Sequence, residues 1–145
     1  MLSNDSGELN ATPFAATMDH YTRGAEMIKD TFFHDWLVSY LQQRLAKDYK
    51  EVQANYQTEQ RHVFSGRYPD LILANQGMVL AIMEVETEES VTTEQAERWK
   101  ELAGLGAKLI IMVPNHMRPK VMDLVFQKGL AGKVGVGSYE ITIKM

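Results

Sequence analysis

Asp70, Glu84 and Glu86 are the side chains in this sequence best placed to do chemistry together. They belong to one stretch, Tyr68 to Glu86, reading YPDLILANQGMVLAIMEVE, in which two short apolar runs flank Asn75-Gln76-Gly77. Runs of this length on either side of a turn read as two strands of a hairpin. If the hairpin delivers the acids to one sheet face, one divalent cation with its waters can bridge them, because carboxylate oxygens are the ligands that hard cations prefer.

Register decides whether they meet. With Asn75 to Gly77 as a three-residue turn, Ala74 faces Met78, Ile72 faces Leu80 and Asp70 faces Ile82. Asp70 and Glu84 are then diagonal neighbours on one face, about 7–8 Å apart at the backbone. Glu86 lies two residues beyond Glu84 and projects from the same face. A two- or four-residue turn without a bulge would turn Asp70 to the other side.

Pro69-Asp70, then Glu84-Val85-Glu86 at the end of the next strand, then a helix carrying Gln95-Ala96-Glu97-Arg98-Trp99, together resemble the PD-(D/E)XK nuclease superfamily, the restriction-endonuclease-like fold. The resemblance runs from about Thr22 to the C-terminus in motif and element order. It implies an α/β fold with a mixed β-sheet flanked by helices, and Mg²⁺-dependent (or Mn²⁺-dependent) hydrolysis of phosphodiester bonds in nucleic acid, DNA in the first place. Carried over, Asp70 and Glu84 become metal ligands, and Gln95 resembles the helix glutamine of the RecB-like branch. Glu86 stands where the family pattern has lysine. Lysine would orient and polarise the attacking water, whereas Glu86 can ligate metal or accept a proton. Some restriction enzymes of this fold carry Glu there. Nucleases of this fold often pair to cut both strands, so the resemblance admits a homodimer.

Composition bounds the alternatives. A chain of 145 residues, 45% hydrophobic and 23% charged, fits one globular domain, with residues 1–18 as a small, polar tail and 19–145 as the folded unit. The absence of cysteine removes disulfides, thiolate zinc sites and cysteine nucleophiles. No apolar run is long enough to span a membrane and the N-terminus does not pattern as a secretory signal, so the expectation is a cytoplasmic protein without membrane contact. The formal charge of −4 weighs against strong non-specific nucleic-acid affinity, which comes from cations that neutralise phosphates. Lys29, Arg44, Lys47 and Lys50 are the candidate phosphate-facing stripe, weighed against a plain solvated face.

The elements that must position the acids follow in order. Thr22 to Asp48 has helical periodicity through Ile28, Phe32, Trp36, Leu37, Tyr40, Leu41 and Leu45. In the resembling family the first helix sometimes lends an acid, for which Glu26 and Asp35 are the candidates. Glu51 to His62 alternates loosely as a first strand, and Ser65-Gly66-Arg67 turns into the hairpin, where Arg67 can meet a phosphate or pair with Glu84 or Glu86. Thr92 with Gln95 is a capping-box signature, so Gln95 has both a capping and a site reading, and Gly104 suits the helix end. Lys108 to Val113 reads as a strand buried on both faces, parallel to the Met78–Glu86 strand. His116, just beyond it, is a minor candidate. Pro119 to Lys128 reads as a helix closed by Gly129, and Lys133 to Lys144 as a final strand or strand pair.

Three acids gathered without a cation repel one another, so at least one should hold its proton unusually tightly. The leading expectation is a Mg²⁺-dependent nuclease with Asp70 and Glu84 on metal, Glu86 a further ligand or base, and Gln95 positioning the nucleophile or a phosphate oxygen. The alternative is a catalytically inactive module of the same fold that binds nucleic acid or protein.

Overall fold

The hairpin forms around a tighter turn than the sequence suggests. In the computed structural model, which describes residues 30–145, β2 (Leu71–Asn75) and β3 (Met78–Val85) are joined by Gln76-Gly77 alone, with Asn75 opposite Met78. Gln76 and Gly77 have φ of 51° and 80°, the left-handed pair that a type I′ hairpin turn requires. Asn75 is not spent on the turn: its Oδ1 accepts from the Lys50 amide at 2.7 Å.

A two-residue turn alone would send Asp70 to the wrong face. A bulge restores it: Ala74 pairs with Val79 but Leu73 pairs with Ala81, so Leu80 is the extra residue on β3. Beyond it the pairs are Ile72 with Ile82 and Leu71 with Met83. Continued by one step, Asp70 stands directly across from Glu84, two residues along from the Ile82 expected from sequence. The side on which Asp70 emerges is unchanged because turn and bulge each shift the parity by one.

β1 (Glu51–Ala54) pairs antiparallel with β2, and completes a five-stranded sheet in the order β1-β2-β3-β4-β5. β1 stops well short of His62. The cause is Asn55, buried at 1% exposure, whose Oδ1 accepts from the Arg61 and His62 amides while its Nδ2 donates to His62 O and Pro69 O, curling residues 55–62 into a loop.

The helix over residues 30–45, α1, buries His34, Leu37, Val38 and Leu41 at helical spacing. The expected helix start at Thr22 and the tail over 1–18 lie outside the described residues. The chain divides at Phe33/His34 into two units, and the second, His34–Met145, carries the whole sheet and all three acids.

α2 (Thr93–Ala103) begins at Thr92, whose Oγ1 accepts from the Gln95 amide, and ends at Gly104. It buries Ala96, Trp99 and Leu102. β4 (Lys108–Pro114) is parallel to β3, α3 (Arg118–Gln127) follows a single 3₁₀ turn, and β5 (Val134–Tyr139) is parallel to β4. The expected final strand ends at Tyr139 rather than Lys144 because its partner runs out at Pro114, which opens the 3₁₀ turn. The fold is thus α/β, a mixed sheet flanked by helices. One face of the sheet builds the main core from Ile72, Ile82, Leu109, Ile111 and Val113 with Trp99, Leu102, Val121 and Leu124. Leu71, Leu73, Met83 and Val85, which alternate with the core residues of β2 and β3, are also buried. No helix among the described residues is long and apolar enough to cross a membrane.

A Cβ added at Gly77 would meet nothing within 4 Å, so replacing this glycine tests the turn's backbone alone. Gly77→Ala should cost about 1 kcal/mol, the penalty of a left-handed L-residue, read as a lower urea midpoint at unchanged slope.

Candidate functional site

Asp70, Glu84 and Glu86 come together on the α2 side of the sheet, at the end where β2 begins and β3 finishes. Glu84 is 2% and Glu86 1% exposed. The first two acids lock the fraying strand ends reciprocally: the Asp70 amide donates to Glu84 Oε2 at 3.0 Å, and the Val85 amide donates to Asp70 Oδ2 at 2.8 Å. Both carboxylates therefore continue the β2–β3 ladder beyond its last backbone pair.

Their charges are met by two cations that the sequence reading did not place there. Arg98, on α2, donates from Nε to Glu84 Oε1 at 2.9 Å and from Nη2 to the Tyr68 carbonyl at 3.2 Å. His34, on α1, reaches Asp70 Oδ2 with Nε2 at 3.2 Å and Asp35 Oδ1 with Nδ1 at 3.0 Å. Signals for both were present. Arg98 lies three residues after Gln95 and so shares its helix face, and His34 occupies a core position of the α1 stripe with Leu37, Val38 and Leu41.

Glu86 is satisfied differently. Oε1 accepts from Ser90 Oγ at 2.6 Å, while Oε2 accepts from Gln95 Nε2 at 2.9 Å and Trp99 Nε1 at 2.8 Å. Three neutral donors surround it. Gln95 thus uses its backbone amide on the Thr92 cap and its side chain on the acid, so the reciprocal half of a capping box is not made. The Glu86 backbone is fixed as well, its carbonyl accepting from Tyr139 Oη at 2.9 Å.

Of the remaining candidates, Asp35 touches the acids only through His34. Asp35 accepts from the Gln57 and Thr58 amides and the Thr58 hydroxyl, which ties α1 to the 55–62 loop. Arg67 lies 3.7 Å from Glu101 rather than on Glu84 or Glu86. His116 pairs with Glu88 at 2.6 Å, both exposed. Arg44, Lys47 and Lys50 are exposed, and Glu26 and Lys29 lie outside the described residues. No group of three His, Cys, Asp or Glu side chains among the described residues is arranged as a ready metal cage.

No family model, curated protein or solved structure matches the chain. Its chemistry must be read from the site itself.

Burial and the Asp70 charge push the Glu84 carboxyl up to about 8, outweighing Arg98. Burial likewise raises Glu86, against the hydrogen bonds from Ser90, Trp99 and Gln95. Burial alone would lower His34, but the bonds and charges of Asp70 and Asp35 win and raise it to about 9. Burial would also lower Arg98, and the Glu84 charge and hydrogen bond hold it above its ordinary value. The arrangement is therefore an acid pair, Asp70 and Glu84, set between two built-in cations with Glu84 holding its proton tightly, beside a third acid held by neutral donors.

These shifts give stability a definite pH course. The folded pKa of His34 lies above its unfolded 6.5, so its contribution is complete below pH 6.5 and is lost as pH rises through about 9. Glu84, at about 8 against 4.5, acts in the same sense, complete below 4.5 and lost through 8. Urea unfolding in EDTA should therefore show stability falling from pH 5 to pH 9, and His34→Gln should flatten the portion between pH 6.5 and 9, roughly 3 kcal/mol at full shift. Glu86→Gln brings an amide group among three converging donors and should cost roughly 2–3 kcal/mol in the same assay, with Ser90, Gln95 or Trp99 left unpaired.

Proposed function

We propose that the chain is a restriction-endonuclease-like protein that hydrolyses phosphodiester bonds in nucleic acid, DNA foremost, with Mg²⁺ or Mn²⁺ held by Asp70 and Glu84. The observation that carries this reading is the convergence of those two acids across the β2–β3 end, Glu84 fully buried and Asp70 partly so, where burial first and the Asp70 charge second raise Glu84 to about 8. A fold gains nothing in stability from placing like charges together in a low-dielectric setting unless a partner is to fill the gap. The donor set fits the metal: two hard carboxylates, one partly exposed, suit a cation that keeps several of its waters.

Bound there, the cation would neutralise charge on the scissile phosphate and supply hydroxide at neutral pH. The chain's own residues do the rest. Asp70 and Glu84 would hold the ion, their carboxylates fixed by the bonds that they accept from the Val85 and Asp70 amides. Glu86 is the third acid of the row and the candidate to accept a proton. Gln95 and Trp99 aim it, and the second amide hydrogen of Gln95 remains to orient a phosphate oxygen or the nucleophile.

One observation favours a second reading, a nuclease-fold module that binds without cutting. Both oxygens of Glu86 are already engaged by Ser90, Gln95 and Trp99, and no lysine among the described residues bonds to the three acids. Such a module would bind nucleic acid or protein and leave it intact.

Calorimetry with Mn²⁺ separates a metal site from an acidic strand end: saturable uptake by the wild type, lost in Asp70→Ala, is expected. Cleavage of single-stranded, duplex and branched DNA and of RNA should follow in Mg²⁺, reduced about 10²–10³-fold in Glu84→Ala, the worth of several kcal/mol of charge stabilisation. Uptake without cleavage favours the binding module, and no uptake by the wild type removes the nuclease reading.

A further inference from the structure

The two cations at the acid pair are not equivalent. His34 is buried and spends both ring nitrogens on Asp70 and Asp35. Arg98 keeps 34% of its side-chain surface in solvent while it contacts Glu84, which is 2% exposed. A guanidinium carries five N–H groups in a rigid planar fork. Two are used here, Nε on Glu84 and one on Nη2 with the Tyr68 carbonyl. Three remain without a partner among the described residues, on a group that reaches from the acid pair into water.

Its footing is firm. Arg98 follows Gln95 by three residues and adjoins Trp99, which is fully buried and hydrogen-bonded to Glu86. Gln95, Arg98 and Trp99 thus present a row of donors from α2 to Glu84 and Glu86 at the end of β3 and just past it, and of the three Arg98 alone is charged. Arg67, the other arginine of this corner, is turned toward Glu101. The exposed Tyr68 ring lies at the residue whose carbonyl Arg98 holds.

We propose that Arg98 is a substrate-contacting residue: its unused Nη hydrogens grip a non-bridging oxygen of a nucleic-acid phosphate while Nε stays on Glu84. This rests on the nuclease-fold reading above and names the group that brings positive charge to the phosphate where Glu86 brings none. A planar fork can serve two oxyanions at once, a carboxylate along one edge and a phosphate along another, which an ammonium cannot do with the same geometry. The site then recognises its substrate through a phosphate held between the acids and α2, and base identity enters only secondarily.

The test uses the full chain and its Arg98→Gln and Arg98→Lys variants, with labelled single-stranded and duplex oligonucleotides in Ca²⁺, replacing Mg²⁺ to slow hydrolysis. Arg98→Gln should weaken binding roughly tenfold, as loss of a charge-assisted contact does. It should also make the slope of log affinity against log salt shallower by about 0.7 on single strands or 0.9 on duplex, one phosphate contact's worth. Arg98→Lys should recover the slope but only part of the affinity. Mn²⁺ uptake by both variants should be no weaker than by the wild type, because Glu84 is not lost. An Arg98→Gln protein with wild-type affinity and slope overturns the proposal, as does a wild type that binds neither oligonucleotide. If Arg98→Gln fails to fold, Arg98→Lys decides: weaker binding at unchanged slope supports the contact, and unchanged affinity overturns it. Failure of the underlying nuclease reading shows separately, as absent Mn²⁺ uptake by the wild type.

Discussion

Burying carboxylates on one sheet face is the constraint to which the rest of this molecule answers. An isolated charge moved out of water loses solvation worth several kcal/mol, and neighbouring like charges add to that cost. The structure meets the cost by three different means at three adjacent positions. Asp70 is matched with an imidazolium, Glu84 with a guanidinium, and Glu86 with neutral donors from a serine, a glutamine and a tryptophan. Each means comes from a different packing element or a different turn of one, so α1, α2 and the loop after β3 are all pinned to the same sheet end. Breaking any one pair would leave a buried group unmatched, which is the costly case.

That arrangement also separates the acids by role. Glu86 is held by groups that do not titrate and organises the first turns of α2. Asp70 and Glu84 are held by His34 and Arg98, which do titrate or carry charge. The distinction arises from helix geometry: residues on one face of α2 meet Glu84 near the end of β3 and Glu86 just past it, Arg98 reaching the first and Gln95 with Trp99 the second. The bulge at Leu80 is what allows Asp70 to join them.

Much of this was legible in the residues. The strand β4, the Thr92 cap, the Gly104 and Gly129 ends and the presence of a hairpin all follow from local pattern, because apolar periodicity and capping act over a few residues. The side on which Asp70 emerges was anticipated through the wrong register. Asn75 is the residue type that tolerates a left-handed turn, which makes a turn through it attractive on paper, yet the chain uses its side chain on Lys50 and places Gln76 in that conformation instead. Nothing in the run Met78 to Met83 marks Leu80 as the extra residue, since a bulge is set by strand pairing rather than by its own side chain. Asn55 ended β1 through four contacts to distant backbone groups, which no local pattern reveals. Arg98 and His34 stood at legible helical positions, but a charge is assigned to a site only once its counter-charge is located in space.

The two borders of the sheet have a consequence of their own. At β1, a strand of four residues, Gln42 reaches over from α1 to the carbonyl of Val52 at 2.9 Å, and at β5 Arg118 reaches from α3 to the carbonyl of Val136 at 3.1 Å. A foreign strand seeking to lengthen the sheet would have to evict a side chain from either rim before it could zip on, and at β1 it would find little length to grip. Runaway stacking of copies rim to rim is thereby discouraged at both borders.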